Sequence, residues 1–177
     1  MFDRAQFIAD CQQASAGNRA SRDVREVVAR AISDPAAVLK NLGEPGQGGL
    51  AILHRSSDLT VLNVQWPAGM VLMPHDHRMW AVIGIYNGRE DNILWRRLPG
   101  GAGRIEAAGA KSLGEGEALA LGPDVIHSVL NPLGRVTGAL HVYGGDFFAV
   151  ERSEWDPEDL SEKPYDLDKA MARFAGA

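Results

Sequence analysis

The segment GMVLMPHDHRMWAVIGIYNG, residues 69–88, decides the predicted fold class of this chain. It holds two apolar runs, a His-Asp-His triplet at 75–77 and an Asn-Gly pair at its end. Side chains two residues apart leave the same face of a strand, so His75 and His77 project together while Asp76 projects the other way. An Asn-Gly pair between apolar runs is typical of a β-hairpin turn. The segment therefore predicts strands, one of which presents two imidazoles on one face.

Short apolar runs recur on both sides of this segment, and Gly or Pro residues separate them. No helical stretch between them is long enough for repeated βαβ units, so seven or more short strands at this spacing predict a sandwich or barrel. The runs are LAILH (50–54), LTVLNVQW (59–66), MWAVIGIY (79–86), NILWRRL (92–98), ALALG (118–122), HSVLN (127–131) and GALHVYG (138–144).

Both ends of the chain have a helical pattern instead. Apolar residues within 2–42 recur near a period of 3.6, and Asp34-Pro35 is typical of a helix start. Near the C-terminus, the pattern predicts one helix beginning at Trp155 and another over 167–174. We therefore expect a single domain composed of an N-terminal helical segment (1–45), a β-barrel (46–150) and a C-terminal helical segment (151–177).

The composition is that of a globular protein, with 177 residues, 45% of them hydrophobic and 23% charged. A net charge of −5 argues against a nucleic-acid or membrane-surface partner, because both favour an excess of Lys and Arg. No apolar run approaches the roughly 20 residues that span a bilayer, and the N-terminus lacks the pattern of a signal peptide. We expect a cytoplasmic location. Cys11 is the single cysteine, which excludes an intrachain disulfide and a Cys-based zinc cluster.

A third histidine can complete a metal site with the His-x-His pair. His127 follows His77 by 50 residues and begins another apolar run. In a barrel its strand can lie opposite the first, so that three imidazoles meet at one transition-metal ion. A neutral three-His set leaves about half of an octahedron open for substrate or dioxygen. The alternative is that the pair occurs by chance and that His127 is an ordinary surface or core residue.

The residues around these histidines resemble the two sequence motifs of the cupin superfamily. Residues 69–77 match the first motif, and Gly88 stands at its closing position. The second motif is matched by Gly116, Gly122-Pro123, His127 and Asn131, although the spacing of its Pro and Gly residues differs from the usual one. The resemblance covers about residues 50–148. It implies an all-β fold, a double-stranded β-helix (the cupin jelly-roll barrel) with N- and C-terminal helices. It also implies that His75, His77 and His127 hold one mononuclear transition metal.

The absence of an acidic ligand narrows the resemblance to the thiol dioxygenases, such as the cysteine dioxygenases. Most cupins carry a glutamate a few residues after His-x-His, but here Ala81 stands near that position and Glu90 is the first carboxylate to follow. The cysteine that mammalian-type cysteine dioxygenases cross-link to a tyrosine is replaced by Ala81-Val82. The resemblance implies Fe(II). Ni, Zn, Co, Cu and Mn stay open, because imidazoles bind many such ions.

A His-x-Tyr pair downstream extends the resemblance to catalysis. Cysteine dioxygenases carry such a pair facing the iron, and here His141-Val-Tyr143 begins 14 residues after His127. The resemblance implies that Tyr143 donates a hydrogen bond to an oxygen species and that His141 orients its hydroxyl. The alternative is a strand that packs its tyrosine inward beside a core histidine.

An arginine upstream of His-x-His holds the substrate carboxylate in cysteine dioxygenases. Arg55, at the end of the LAILHR run, is the residue to which the resemblance gives this role, with Arg78 and Arg96-Arg97 as competitors. A guanidinium suits a carboxylate because its N–H groups form a planar fork. The alternative is that Arg55 is a solvated surface residue.

The activity that the resemblance implies is Fe(II)-dependent oxidation of a small thiol to a sulfinate, with the thiol and O2 as partners. Two alternatives stay open: another mononuclear-metal cupin enzyme, such as a non-thiol dioxygenase or an isomerase, and a non-catalytic metal- or ligand-binding cupin. The sequence names neither the thiol nor the oligomeric state, for which a homodimer is one option.

Overall fold

The computed structural model describes residues 1–101 and 103–175, which form four helices and eleven strands. The helices are α1 (Arg4–Ser15), α2 (Ala20–Ile32), α3 (Pro35–Leu42) and α4 (Leu167–Ala175). The strands are β1 (Gly49–Arg55), β2 (Thr60–Trp66), β3 (Val71–Asp76), β4 (Ala81–Asn87), β5 (Arg89–Arg97), β6 (Ile105–Gly114), β7 (Ala118–Leu121), β8 (Ile126–Leu130), β9 (Thr137–Tyr143), β10 (Ser153–Trp155) and β11 (Glu162–Pro164). Among these helices, none is both long and apolar enough to cross a membrane.

The strands form two antiparallel sheets. One has the order β1-β2-β9-β4-β7 and the other β11-β10-β3-β8-β5-β6. Strands that are distant in sequence pair across the fold. Strands β2 and β4 both pair with β9, and strands β3 and β5 both pair with β8. This nested antiparallel pairing, divided between two facing sheets, is a double-stranded β-helix. The predicted all-β fold class with helices at both ends is confirmed.

Two apolar cores flank the first sheet, and β4 contributes to both. Ile83 and Ile85 face the space between the sheets, whereas Val82 and Tyr86 face α1–α3 on the outer side. A strand buried on both faces is apolar along its whole length, which explains the continuous run AVIGIY. Gly84 lets α2 approach closely, because a Cβ there would lie 2.3 Å from a methyl carbon of Val28.

The predicted helical segments are correct at the N-terminus and partly wrong at the C-terminus. Asp34 caps α3, with its carboxylate accepting a hydrogen bond from the Ala37 amide at 3.1 Å. The helix predicted to begin at Trp155 does not exist, since that residue ends β10. Trp155 is fully buried and its indole N–H donates to the Gly103 carbonyl at 2.7 Å. Tertiary pairing of β10 with β3 and β11 therefore overrides the local helix signal.

Candidate metal centre

The pairing of β3 with β8 brings the three predicted histidines together. The register places His75 opposite His127, and His77 follows directly after β3. Arg78 then adopts a left-handed conformation with φ 55°, which turns the chain away after His77. The nearest imidazole nitrogens of His77 and His127 are 3.4 Å apart, and one nitrogen from each of the three rings lies within 4.8 Å of the others.

Two of the three imidazoles are held through their Nδ1 atoms. The Nδ1 of His75 lies 2.9 Å from the carbonyl oxygen of Met73, and that of His127 lies 2.7 Å from Oδ1 of Asn92. Both partners are acceptors, so each Nδ1 carries the hydrogen and each Nε2 keeps a free lone pair. Metal-binding histidines are commonly held in this way, because the second hydrogen bond fixes the tautomer and the ring orientation.

Burial keeps the three imidazoles neutral at pH 7. Desolvation lowers the pKa of His75 to about 4. The pKa values of His77 and His127 lie well below 6.5, first because of burial and then because of neighbouring histidines. Neutral imidazoles offer lone pairs to first-row transition ions. In donor type, spacing and protonation, the three residues therefore fit one mononuclear transition-metal ion.

A small cavity of about 30 Å³ adjoins the histidines, which is roughly enough for two water molecules. Its wall is apolar apart from the imidazoles and two tyrosines. Helix α4 contributes much of this wall, with Leu167, Ala170, Met171 and Phe174. A group that enters this space is therefore largely removed from water.

Tyr143 and His141 both line this cavity from β9. The Tyr143 hydroxyl lies 3.0 Å from Nδ1 of His141, and the Tyr143 ring centroid is 5.1 Å from that of His77. Burial raises the pKa of Tyr143 above its ordinary value, so its hydroxyl stays protonated at neutral pH. The structure thus places a neutral phenol beside the three imidazoles, hydrogen-bonded to His141.

The structure does not bring Arg55 to this cavity. Arg55 ends an edge strand, and its guanidinium makes two 2.9 Å contacts with the Asp146 carboxylate. Its side chain is 44% exposed, and it is absent from the cavity wall. The competitors Arg78 and Arg96-Arg97 also form ion pairs with nearby carboxylates. Asp146 already binds the Arg55 guanidinium, and the role of Arg55 in substrate binding stays a prediction.

Arg152 is a cation near the site that the sequence analysis missed. It is 8% exposed, and its guanidinium carbon lies 4.2 Å from the ring centroids of Phe147 and Tyr165, which line the cavity. One nitrogen donates to the Phe147 carbonyl at 2.6 Å, whereas Nε and the other terminal nitrogen have no hydrogen-bond partner within the described ranges. Its charge also contributes to the lowered pKa values of His75 and His77. In the sequence it stands in a charged run that is typical of a solvated surface.

Glu90 and Asn92 are the other polar residues that the sequence analysis missed. Both are buried on the inward face of β5, and Asn92 contacts His127. The available signal was the i, i+2 spacing of two polar residues within an otherwise ordinary strand.

Comparison with known proteins gives similarity of fold only. No protein-family model matches the sequence. An uncharacterised protein with a double-stranded β-helix domain from Klebsiella pneumoniae is 12% identical, with 58% of this chain and 81% of that chain covered and a TM-score of 0.45. The cupin domain of Cnp3 from Schizosaccharomyces pombe is also 12% identical, with 56% of this chain and 65% of that chain covered and a TM-score of 0.45. A variant of oxalate decarboxylase from Bacillus subtilis is 18% identical, with a TM-score of 0.44 and 59% of this chain covered. This chain spans only 27% of that enzyme.

Proposed function

We propose that this protein is an Fe(II)-dependent, thiol dioxygenase-like enzyme that oxidises a small thiol to a sulfinate with O2. The observation that carries the proposal is the donor set. Three neutral, buried imidazoles converge at one small cavity, and the described residues place no carboxylate among them. Such a site keeps the full positive charge of a bound ion, which favours a thiolate, and it leaves several coordination positions open.

An Fe(II) ion held by His75, His77 and His127 supplies the redox chemistry that joins dioxygen to sulfur. The reaction balances as RSH + O2 → RSO2H, so it requires no external reductant. The apolar wall excludes water, and the Tyr143 hydroxyl, held by His141, lines the same cavity, where it would contact the reacting groups.

Arg152 supports a substrate that carries an anionic group. A buried charge without a counter-ion is costly, and Arg152 forms no ion pair with any described carboxylate while two of its N–H-bearing nitrogens lack partners. Arg152 also lines an open groove, and Tyr165 and Leu167 line both this groove and the cavity. We therefore assign to Arg152 the carboxylate-binding role that the sequence analysis gave to Arg55.

The test is oxygen uptake by Fe(II)-loaded protein across thiols with and without a carboxylate, with sulfinate identified by mass spectrometry. One O2 consumed per sulfinate, with both oxygen atoms from ¹⁸O2, is the expected result. No Fe(II)-dependent uptake with any thiol would refute the proposal. Stoichiometric metal binding without uptake would then favour another metal cupin enzyme or a non-catalytic cupin.

Arg152→Met tests the assignment of the substrate's anionic group, with Arg55→Ala as the matched control. Arg152→Met removes the charge but keeps an apolar side chain between two aromatic rings, so we expect the fold to persist. Its kcat/KM should fall about 10–100-fold for carboxylate-bearing thiols, as for a lost charge-assisted hydrogen bond. It should change little for aminothiols. Equal effects on both substrate classes, or an equal effect of Arg55→Ala, would remove Arg152 from the substrate site.

A further inference from the structure

Glu90 is a fully buried carboxylate near the centre of the molecule. Its Oε1 accepts a hydrogen bond from the Asn92 side-chain amide at 3.0 Å, and its Oε2 lies 3.5 Å from Nε2 of His141. Neither Oε2 of Glu90 nor Nε2 of His141 has a hydrogen-bond partner within the described ranges, so each is the nearest polar group that can satisfy the other. A buried carboxylate is costly unless donors satisfy it, so Asn92 and His141 are the groups that make this position tenable.

The first branch of this network leads to His127. An ionised carboxylate only accepts hydrogen bonds, so Asn92 must turn its NH2 group towards Glu90 and its oxygen away. That oxygen lies 2.7 Å from Nδ1 of His127. His127 therefore carries its hydrogen on Nδ1 and leaves Nε2 free, as a metal ligand requires.

The second branch leads to Tyr143. If Oε2 of Glu90 accepts from His141, that ring carries a hydrogen on Nε2, and a ring with a single hydrogen leaves Nδ1 as an acceptor. The Tyr143 hydroxyl, 3.0 Å away, then donates to that nitrogen. Its oxygen lone pairs are left for the cavity, where they suit a hydrogen-bond donor.

We propose that Glu90 is a positioning residue that fixes two tautomers at once, that of His127 on the metal side and that of His141 behind Tyr143. The His127 branch rests on the metal site proposed above, whereas the His141 branch does not. The resulting chain of polar contacts is Tyr143–His141–Glu90–Asn92–His127, in which the His141–Glu90 link is a 3.5 Å approach and the others are hydrogen bonds. In it, Tyr143 presents an acceptor to the substrate, which reverses the donor role expected from the sequence.

The variant Glu90→Gln tests this proposal because an amide of the same shape cannot accept from both neighbours. If its oxygen faces Asn92, its NH2 group faces His141 and moves that ring's hydrogen to Nδ1. If its NH2 group faces Asn92, the Asn92 amide rotates so that its oxygen faces the glutamine and its NH2 group faces Nδ1 of His127. The His127 hydrogen then moves to Nε2. Exactly one of the two histidines should therefore change tautomer, and in metal-loaded protein it should be His141, because the ion requires Nε2 of His127.

The readout is ¹⁵N–¹H correlation NMR of the histidine side chains, on metal-free protein and on protein loaded with diamagnetic Zn(II). In the parent, we expect Nε2–H at His141 and, in both samples, Nδ1–H at His127. Glu106→Gln, a matched change at an exposed carboxylate, should alter neither ring. Asn92→Ala should lower Zn(II) affinity about 10–100-fold and leave the His141 tautomer unchanged.

Two results would overturn the proposal: an unchanged tautomer at both rings in Glu90→Gln, or Nδ1–H at His141 in the parent itself. The second result needs no variant, so it decides the matter even if Glu90→Gln does not fold. Because no turnover is measured, the outcome is independent of the proposed function. A tautomer change in a protein that oxidises no thiol would support the Glu90 role and refute the dioxygenase.

Discussion

The three ligand histidines differ in what holds them, and this difference predicts how each substitution acts. His127 is fixed by the Asn92 amide and His75 by a backbone carbonyl within its own strand. His77 follows β3, and its Nε2 atom lies 3.4 Å from Nε2 of His127. All three rings are buried, and their pKa values are low, so contact with water does not stabilise any of these polar side chains at its position. We therefore interpret their burial as an adaptation to metal binding.

Replacing His127 by alanine should abolish stoichiometric binding of a divalent transition ion, since two imidazoles hold it poorly. The control is His54→Ala, which removes a histidine whose ring instead contacts Gln12 and Ser56. The measurement is metal content after dialysis, with affinity from competition against a chelator. One equivalent bound by His127→Ala at the parent's affinity would contradict the assignment of the three ligands.

Tyr143→Phe should keep metal binding and lose turnover, because in the proposed function the hydroxyl acts on the reacting groups and does not bind the ion. We expect kcat to fall about 100-fold, at the low end of the loss seen when a positioned proton donor or acceptor is removed. Steady-state oxygen uptake and metal content, measured on the same preparation, separate the two effects. Unchanged kcat would leave Tyr143 as a packing residue.

At the scale of elements, the hairpin formed by β10 and β11 depends on one carboxylate. Glu162 accepts hydrogen bonds from the Arg97 guanidinium at 2.8 Å and from the Ser153 hydroxyl at 2.6 Å. These contacts, above all that with Arg97, lower the pKa of Glu162 to about 2. The ion pair links β11 to β5, so it holds the hairpin against the main sheet.

Glu162→Gln should destabilise the protein by about 1 kcal/mol at pH 7, the upper range for a partly exposed ion pair. A carboxyl whose folded-state pKa is depressed contributes stability that is present above its ordinary value of 4.5 and is lost as pH falls towards about 2. The stability gap between parent and variant should therefore narrow over that window. Urea unfolding of both proteins at pH 7 and pH 3 measures it, and a gap independent of pH would contradict the assignment.

The elements that the sequence predicts are those whose own residues carry a pattern. The strands around the histidines and the helix beginning after Asp34 were predicted, because apolar runs and a capping residue are local signals. The hairpin predicted at Asn87-Gly88 is wrong, because β4 and β5 belong to different sheets and do not pair. Strand β6 was missed because most of its residues are exposed and small. Strands β10 and β11 have three residues each and exist only through their pairing partners.

The same division explains which site residues were predicted. The histidines stand in recognisable motifs, so the residues that the structure brings together were named in advance. Arg152 and Glu90 were not, because their surroundings come from distant parts of the chain: aromatic rings from 147 and 165 in one case, and β8 and β9 in the other. For Arg55, a sequence shows that an arginine is present but not that Asp146 binds its guanidinium.

At the scale of the whole molecule, the candidate site links parts of the fold that are otherwise separate. Strands β3 and β8 of one sheet supply the imidazoles, β9 of the other supplies Tyr143 and His141, and α4 closes the cavity. The core between the sheets and the core beneath α1–α3 are extensive and need no ion. The metal-free protein should therefore fold, and an ion should add stability to a structure that already exists.

Metal binding should raise the melting temperature in proportion to its affinity for the folded state. At a free metal concentration 100 times Kd, binding stabilises the native state by about 2.7 kcal/mol, which corresponds to about 5–10 °C for a chain of this size. The reason is that the three imidazoles lie close together only in the fold, since the unfolded chain separates His77 from His127 by 50 residues. Thermal unfolding of the protein without metal, with added metal, and with metal and a chelator measures the shift. The shift should be reversed by the chelator and absent from His127→Ala. An equal shift in His127→Ala would mean that the ion binds elsewhere and that the three-histidine site does not hold it.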